Sequence, residues 1–213
     1  MKKTHSKSIS LLSASGLFII LFTVGLYAQE TGKVKDILSI VAYDRLQTMP
    51  DTYLIDVRTR AEYQFVGHPE HAYLFPFKFM TTKLAKPGEE YEYQFEENTA
   101  FIEEISKKFK KEENLIIICR DGKRSALAAK ELVKNGFENV FNVKDGFEGR
   151  EFPFSEDDPV EDKYLKSLAK QNQIIGRKQR RHSGWQWWGL PWTYEMDPIY
   201  LYPPDVPKNI SPQ

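Results

Sequence analysis

An unbroken run of four apolar residues, from Leu115 to Ile118, leads directly into the only cysteine of the chain, Cys119. Continuous apolar runs of strand length are typical of strands that are buried on both faces of a parallel sheet. A helical pattern follows, with Ser125 as a good N-cap residue and Asn135, next to a glycine, as its end. The sequence therefore predicts a strand, a tight loop and a helix, with one thiol at the carboxyl end of the strand.

The predicted loop concentrates positive charge beside this thiol. The residues that follow Cys119 are Arg120, Asp121, Gly122, Lys123, Arg124 and Ser125. A tight loop that leads into a helix aims backbone N–H groups inward, at the positive end of the helix dipole. Gly122 permits backbone dihedral angles that are closed to other residues, and the three cations add full charges. Such surroundings favour the thiolate, so we interpret the loop as an anion site around a reactive Cys119 rather than as an ordinary buried cysteine.

Several segments of the chain share a pattern that is known from one family. Residues 119–125 read Cys-Arg-Asp-Gly-Lys-Arg-Ser, residues 54–69 include Leu-Ile-Asp-Val-Arg-Thr, Glu-Tyr and Gly-His-Pro, and residues 136–147 end in Asp-Gly-Phe. Together they resemble the active-site loop, the first signature and the closing segment of the rhodanese-type sulfurtransferases. The resemblance covers about residues 35–150. It departs from the family at Pro69 to Ala72 and in the charged, aromatic insertion that follows.

This resemblance implies an α/β rhodanese-like domain over residues 33–150, with a central parallel sheet flanked by helices on both faces. Alternating strand and helix patterns along the chain favour the same kind of sheet. We predict a buried strand at Tyr53–Val57, a solvated excursion or a small irregular insertion at residues 82–98, and a helix that is capped by Asn98 or Thr99. Residues 151–213 are expected to form an irregular C-terminal extension.

The resemblance also implies a reaction. Cys119 would be the catalytic residue, taking the outer sulfur of a small anionic donor such as thiosulfate and holding it as a persulfide. Cyanide in an assay, or a thiol or protein acceptor in the cell, would then receive that sulfur. The loop residues expected to bind the anionic substrate are Arg120, Asp121, Gly122, Lys123, Arg124 and Ser125. Neither a metal nor an organic cofactor is implied.

Two alternatives come from other functional classes. A phosphatase of the same fold would carry one more residue between the cysteine and the arginine, whereas Arg124 is the fifth residue after Cys119. The tighter loop suits a single sulfur better than a phosphoryl group. The second alternative is a non-enzymatic or partner-dependent module in which Cys119 only carries sulfur, because a fold does not determine the physiological reaction.

The N-terminal residues 1–28 have the pattern of a signal peptide or a membrane anchor. Three lysines precede an apolar stretch at residues 11–26, and Tyr27-Ala28 is an acceptable cleavage end. We therefore expect an exported, periplasmic protein, or one that an uncleaved segment anchors to the membrane. The chain has 30 basic and 30 acidic residues, which indicates no nucleic-acid partner. With one cysteine it forms no internal disulfide.

The C-terminal extension contains all four tryptophans of the chain, between Trp185 and Trp192, and a tyrosine- and proline-rich stretch at residues 199–204. Aromatic side chains bury large areas without needing regular structure, so we expect this tail to pack back on the domain. The alternative is that residues 184–204 form a docking surface for an exported protein partner, or a lid beside the thiol.

Two pairs of polar residues precede the loop. Asp56 and Arg58 follow a predicted strand, and we interpret Asp56 as the partner in an ion pair or cap that fixes the loop geometry, not as a catalytic group. His68 and His71 supply at most half of a zinc site, so we expect hydrogen-bonded loop histidines.

Overall fold

Strands and helices alternate through most of the chain in the computed structural model, which describes residues 33–151, 159–171, 182–206 and 208. The elements are β1 (Lys35–Ile37), α1 (Ser39–Thr48), β2 (Thr52–Asp56), α2 (Arg60–Phe65), β3 (His68–Pro69), β4 (Tyr73–Leu74), β5 (Lys78–Ala85), β6 (Glu92–Glu97), α3 (Phe101–Lys108), β7 (Asn114–Ile118), α4 (Lys123–Lys134), β8 (Asn139–Val143), α5 (Pro159–Gln171), β9 (Trp192–Thr193) and two short 3-10 turns at Pro198–Tyr200 and Pro203–Asp205. The expected leader at residues 1–28 lies outside the described residues, so its cleavage and the exported location stay predictions. Of the helices within the described ranges, none is long and apolar enough to cross a membrane.

Five parallel strands form the central sheet in the order β1-β8-β7-β2-β4. The predicted apolar strand, β7, is in the middle, between β8 and β2. Its side chains alternate between two cores: Leu115 and Ile117 pack with residues of α3 and α4, whereas Ile116 and Ile118 pack with Ala42 of α1. The predicted fold class, a parallel α/β sheet with helices on both faces, is confirmed.

The start of α4 differs from the prediction. The helix begins at Lys123, and the residue before it is Gly122, whose φ of 91° is left-handed. The prediction of Ser125 as the N-cap was wrong, because Gly122, three residues earlier, turns the chain into the helix. Ser125 thus lies in the first turn, where its side chain is buried. The helix ends at Lys134, and Asn135 is its C-cap, as predicted.

The predicted excursion at residues 82–98 is an ordered hairpin for much of its length. Strands β5 and β6 pair antiparallel and form a separate two-stranded sheet. Every residue of β6 is exposed, and no face of that strand enters the core. The strand is therefore solvated, as the sequence predicted, although it is part of an ordered hairpin. The hairpin is fastened through Phe79 of β5, whose ring lies 4.5 Å from the guanidinium carbon of Arg60 and 6.2 Å from the ring of Tyr202.

The C-terminal tail packs back on the domain, as predicted, and Trp185 is its anchor. This tryptophan is buried, its indole N–H donates to the carbonyl oxygen of Pro191 at 2.8 Å, and its ring stands edge-on to Tyr43. Strand β9 continues the attachment, because Trp192 pairs with Pro69 of β3. The tail is therefore part of the folded unit.

Replacing Trp185 tests this structural role. Trp185→Ala should lower the free energy of unfolding by about 3–5 kcal/mol, because it removes a buried indole and leaves a cavity. Trp187→Ala is the matched control; Trp187 is 41% exposed, and its loss should change the same quantity by about 0.5 kcal/mol or less. Urea denaturation followed by circular dichroism measures both values. Small effects in both variants would contradict the anchoring role.

Candidate active site

Cys119 lies directly after β7, at the carboxyl end of the central strand, where α/β sheets place their sites. Its Sγ accepts a hydrogen bond from the backbone N–H of Gly122 at 3.2 Å and one from the hydroxyl group of Ser125 at 3.3 Å. The cysteine has 0% of its surface exposed. The sulfur is therefore held by polar donors from the start of α4, and a reactant reaches it only after the atoms that cover it move.

Glycine is required at position 122 by the fold of the loop. Besides its left-handed φ, a Cβ at this position would lie 2.2 Å from the carbonyl oxygen of Lys144. Any side chain would thus push the loop away from the strand end that supports it. The close approach keeps the Gly122 N–H directed at the Cys119 sulfur.

The segment that follows β8 supports the loop from the other side. The backbone N–H of Phe147 donates to the carbonyl oxygen of Cys119 at 2.8 Å, and that of Glu148 donates to the carbonyl oxygen of Arg120 at 3.0 Å. At Gly146 a Cβ would lie 2.5 Å from the carbonyl oxygen of Arg120. These main-chain contacts hold the loop in one conformation without using its side chains.

Arg124 is paired with a carboxylate that the sequence analysis did not single out, that of Glu62. The guanidinium group forms a two-pronged ion pair with Glu62, in which Nη1 lies 2.8 Å from Oε2 and Nη2 contacts Oε1. The Glu62 carboxylate also accepts the N–H and the hydroxyl hydrogen of Thr59, which begins α2 in a capping box. Burial alone would raise the pKa of Glu62, but Arg124 and Thr59 outweigh it and lower the pKa to about 2.

The remaining loop residues face a cleft. Arg120 and Lys123 are exposed and border, together with Arg124, a cleft of about 830 Å³. The Asp121 carboxylate accepts the backbone N–H of Lys123 at 3.2 Å, which places it at the N-terminus of α4. Acidic side chains also line the cleft: Glu62, Glu92, Asp121, Glu148 and Glu151. The cleft is thus of mixed charge, with more acidic side chains than the loop sequence alone contains.

Asp56 is in a buried ion pair, one of the two structural roles expected for it, and its partner is Arg58, with Nη2 of Arg58 at 2.7 Å from Oδ2 of Asp56. The same nitrogen donates to the carbonyl oxygen of Gly67 at 2.7 Å. The Arg58 guanidinium lies over the ring of Phe147, 4.2 Å from its centroid. Because Phe147 binds the Cys119 carbonyl, this pair supports the segment that holds the loop and does not contact the sulfur directly.

The two histidines that precede the loop, His68 and His71, pack against aromatic rings. His68 is buried and stacked on Tyr63 with ring centroids 3.6 Å apart, and its ring nitrogens face the carbonyl oxygens of Pro69 and Glu195. His71 packs against the ring of Tyr200. In the part of the chain that the structure describes, no group of three or more histidine, cysteine or acidic side chains is arranged to hold a metal ion.

Two features of the site were not found from the sequence. The first is the role of Glu62: the spacing from Thr59 to Glu62 is the signature of a capping box, yet nothing local links it to Arg124, 62 residues further on. The second is the hairpin residue Phe95, whose ring lies 5.9 Å from the Arg124 guanidinium. Both contacts arise only when the sheet brings distant segments together.

The fold and the site together define a class of protein. In this class the central strand of a parallel α/β domain ends in a cysteine-containing loop at the N-terminus of a helix. The model of one family in that class, the rhodanese-like domain, matches residues 41–150, which is more than half of the chain. The chain belongs to the rhodanese-like domain family.

Individual relatives agree with this assignment. An uncharacterized protein of Rickettsia rickettsii is 36% identical over 116 residues, which span 54% of this chain and 85% of the relative. The chloroplastic rhodanese-like domain-containing protein 4 of Arabidopsis thaliana is 32% identical over 110 residues, which are 51% of this chain and 22% of that protein. The crystal structure of Rv0390 from M. tuberculosis superposes with a TM-score of 0.53 at 25% identity and covers 77% of this chain and 100% of that chain.

The pairing of Glu62 predicts how stability depends on pH. Its pKa is 4.5 ordinarily and about 2 in the folded protein, so its contribution is complete above the higher value and is lost as the pH falls through the lower one. Glu62→Gln should lower the free energy of unfolding near neutral pH by about 2–3 kcal/mol, and this difference should shrink steadily as the pH falls below about 5.

Urea denaturation at a series of pH values measures this difference. Glu103→Gln is the control, because it alters an exposed ion pair with Lys107 on α3, and its effect should stay small throughout. A difference between wild type and Glu62→Gln that does not vary with pH would show that the carboxylate charge contributes nothing.

Proposed function

We propose that this protein is a sulfurtransferase that carries sulfane sulfur on Cys119. The observation that supports this most directly is the pair of hydrogen bonds that the Gly122 amide and the Ser125 hydroxyl donate to Sγ. Donors of this kind stabilise an anionic sulfur, and a thiolate is the nucleophile in sulfur transfer. Membership of the rhodanese-like domain family is consistent with the proposal, since some members of that family are sulfurtransferases.

The reaction has two half-steps that balance without a cofactor. The Cys119 thiolate attacks the outer sulfur of thiosulfate, the S–S bond of thiosulfate breaks, and sulfite leaves with the electron pair. In the second half-step an acceptor, such as cyanide, attacks the outer sulfur of the persulfide. Thiocyanate forms, and the Cys119 thiolate is regenerated. This sequence predicts ping-pong kinetics.

The loop residues take different parts in this proposal. The Gly122 N–H and the Ser125 hydroxyl bind the Cys119 sulfur. The exposed cations, Arg120 and Lys123, attract the anionic donor to the cleft. Arg124 is already neutralised by Glu62 in the free protein, so it serves mainly to hold α4 against α2 until a donor competes for it.

The burial of Cys119 favours one further candidate, the partner-dependent sulfur carrier. With no exposed surface, the thiol would become accessible only when a protein partner displaces the groups above it. Such a module would form a persulfide but would turn over slowly with thiosulfate and cyanide alone. The aromatic tail at residues 184–204, proposed as a partner surface from the sequence, stays a proposal.

The assay of the proposed function uses purified protein, thiosulfate and cyanide. We expect thiocyanate to form with the wild type, a persulfide on Cys119 to appear in the intact mass, and both signals to vanish in Cys119→Ser. Thiocyanate that persists in the serine variant would remove Cys119 from the mechanism. A persulfide with negligible turnover would favour the carrier, and release of phosphate from p-nitrophenyl phosphate would favour the phosphatase.

Ser125 allows a finer test. Ser125→Ala should slow persulfide formation from thiosulfate by about tenfold, because a hydrogen bond to a charged group contributes roughly 1.5–3 kcal/mol. Ser39→Ala is the matched control: Ser39 is also buried, and its hydroxyl donates to the carbonyl oxygen of Gly146 and not to the sulfur. Stopped reactions analysed by mass spectrometry measure the rate. Equal rates in the two variants would contradict a role for the Ser125 hydroxyl at the sulfur.

A further inference from the structure

The outer side of the β5–β6 hairpin presents an apolar face. Phe95 is directly opposite Met80, and Tyr93 is directly opposite Leu84. Opposed residues of an antiparallel pair point to the same side, as do residues two apart on one strand. The register shifts between the two pairs, but Tyr93 and Phe95 are two apart on β6, so the four side chains lie on one side of the hairpin, which we call the hairpin face. Each of them is between 48% and 57% exposed.

The hairpin is attached to the domain by its other side. Phe79 neighbours Met80 along β5 and is paired with Glu96, so it points away from the hairpin face. Its ring packs against Tyr202 and the guanidinium group of Arg60. The anchoring contacts leave the hairpin face about half exposed, and at one end of it Phe95 lies beside Arg124. An exposed cluster of large apolar side chains of this kind marks an interaction site.

The hairpin face is continuous with the cleft beside the cysteine loop. Phe95 belongs to both, because it lines the cleft together with Arg120, Lys123 and Arg124. A protein that covers the hairpin face therefore reaches the rim of the site that contains Cys119. This position suits a partner that delivers or accepts a group there.

The charges around the hairpin face are mainly acidic. Residues 78–97 contain five glutamates and three lysines, and the glutamates are all within residues 89–97. One lysine, Lys78, is compensated by Glu97 at 2.6 Å. The adjoining cleft is of mixed charge, because Arg120 and Lys123 lie beside its acidic side chains. The hairpin itself is thus an apolar centre with an acidic rim, and its complement is an apolar patch with a basic rim.

We propose that the hairpin face docks a sulfur-accepting protein whose thiol is next to apolar residues and is surrounded by lysine or arginine. This proposal rests on the sulfur transfer proposed above and names the class of acceptor. A small thiol or cyanide is too small to contact all four side chains of the hairpin face. A second copy of this chain would place acidic rim against acidic rim, and an anionic lipid surface would be repelled.

The experiment compares synthetic acceptor peptides with cyanide on the full chain. The first peptide has one cysteine flanked by leucine and tyrosine, with lysines at both ends. The second has glutamates in place of the lysines, and the third has serines in place of the apolar residues. We expect the kcat/KM of sulfur transfer to the first peptide to exceed that to either of the others by about tenfold, the size expected for one well-placed charged or apolar contact.

Two variants connect this preference to the hairpin. Leu84→Ser/Tyr93→Ser should reduce kcat/KM for the first peptide about tenfold relative to kcat/KM for cyanide. Glu89→Lys/Glu92→Lys should reverse the preference between lysine and glutamate peptides. The matched control is Phe65→Ser/Tyr164→Ser, which removes two exposed rings that do not line the cleft and should leave the ratio of peptide to cyanide as in wild type.

A binding measurement separates docking from chemistry. Calorimetry with Cys119→Ser and a first peptide that carries serine for cysteine should show binding that Leu84→Ser/Tyr93→Ser weakens about tenfold. Such binding with neither thiocyanate formation nor a persulfide on Cys119 would leave the docking surface intact and remove the sulfurtransferase. If thiocyanate forms from cyanide but sulfur is transferred equally well to all three peptides, the docking surface alone would be overturned. Dimers or binding to phosphatidylglycerol vesicles that Leu84→Ser/Tyr93→Ser abolishes would also overturn it, because the face would then have another occupant.

Discussion

The site depends on the stacking of three main-chain segments without intervening side chains. The cysteine loop lies on the segment after β8, where Phe147 and Glu148 donate to the carbonyl oxygens of Cys119 and Arg120. That segment in turn accepts N–H groups of the tail, from Trp185 to Gly146 and from Gln186 to Phe147. Buried main-chain groups must be paired, so each layer requires the next. The tail therefore stabilises the cysteine loop through one intermediate layer, although it makes no contact with the sulfur that the structure records.

This stacking explains why the loop can surround a sulfur with donors and still be stable. A buried cation near Cys119 would be costly unless it were paired, and two such cations are paired here: Arg58 with Asp56, and Arg124 with Glu62. Main-chain dipoles at the start of α4 add positive field at the sulfur without the desolvation cost of a charge, beside Arg124, whose pKa burial would lower but Glu62 and Cys119 both raise. The exposed charges of the loop remain at the surface, where they act on an arriving anion.

Sequence patterns predicted what is local. The apolar run before Cys119 predicted the central strand, the alternation of elements predicted the parallel sheet, and the position of Asp56 after a strand favoured a structural ion pair or cap. The start of α4 was misplaced because a left-handed glycine competes with a serine as the helix boundary, and propensity alone favours the serine. The Glu62–Arg124 pair and the hairpin beside the cleft were not predictable, since both depend on segments that only the folded sheet brings together.

In the proposed cycle the sulfur keeps the same formal charge throughout, because thiolate and persulfide are both monoanions. Fixed donors such as the Gly122 N–H and the Ser125 hydroxyl can then serve both half-steps without rearrangement, and no titrating base is needed beside the sulfur. What does change is the reactant that must enter, first a small dianion and then an acceptor. The groups that surround the entrance to the sulfur then select between the donor and the acceptor. These groups are the exposed cations of the loop and the apolar hairpin with its acidic rim. Because the donors at the buried sulfur stay the same for both reactants, the choice of acceptor can depend on the entrance alone.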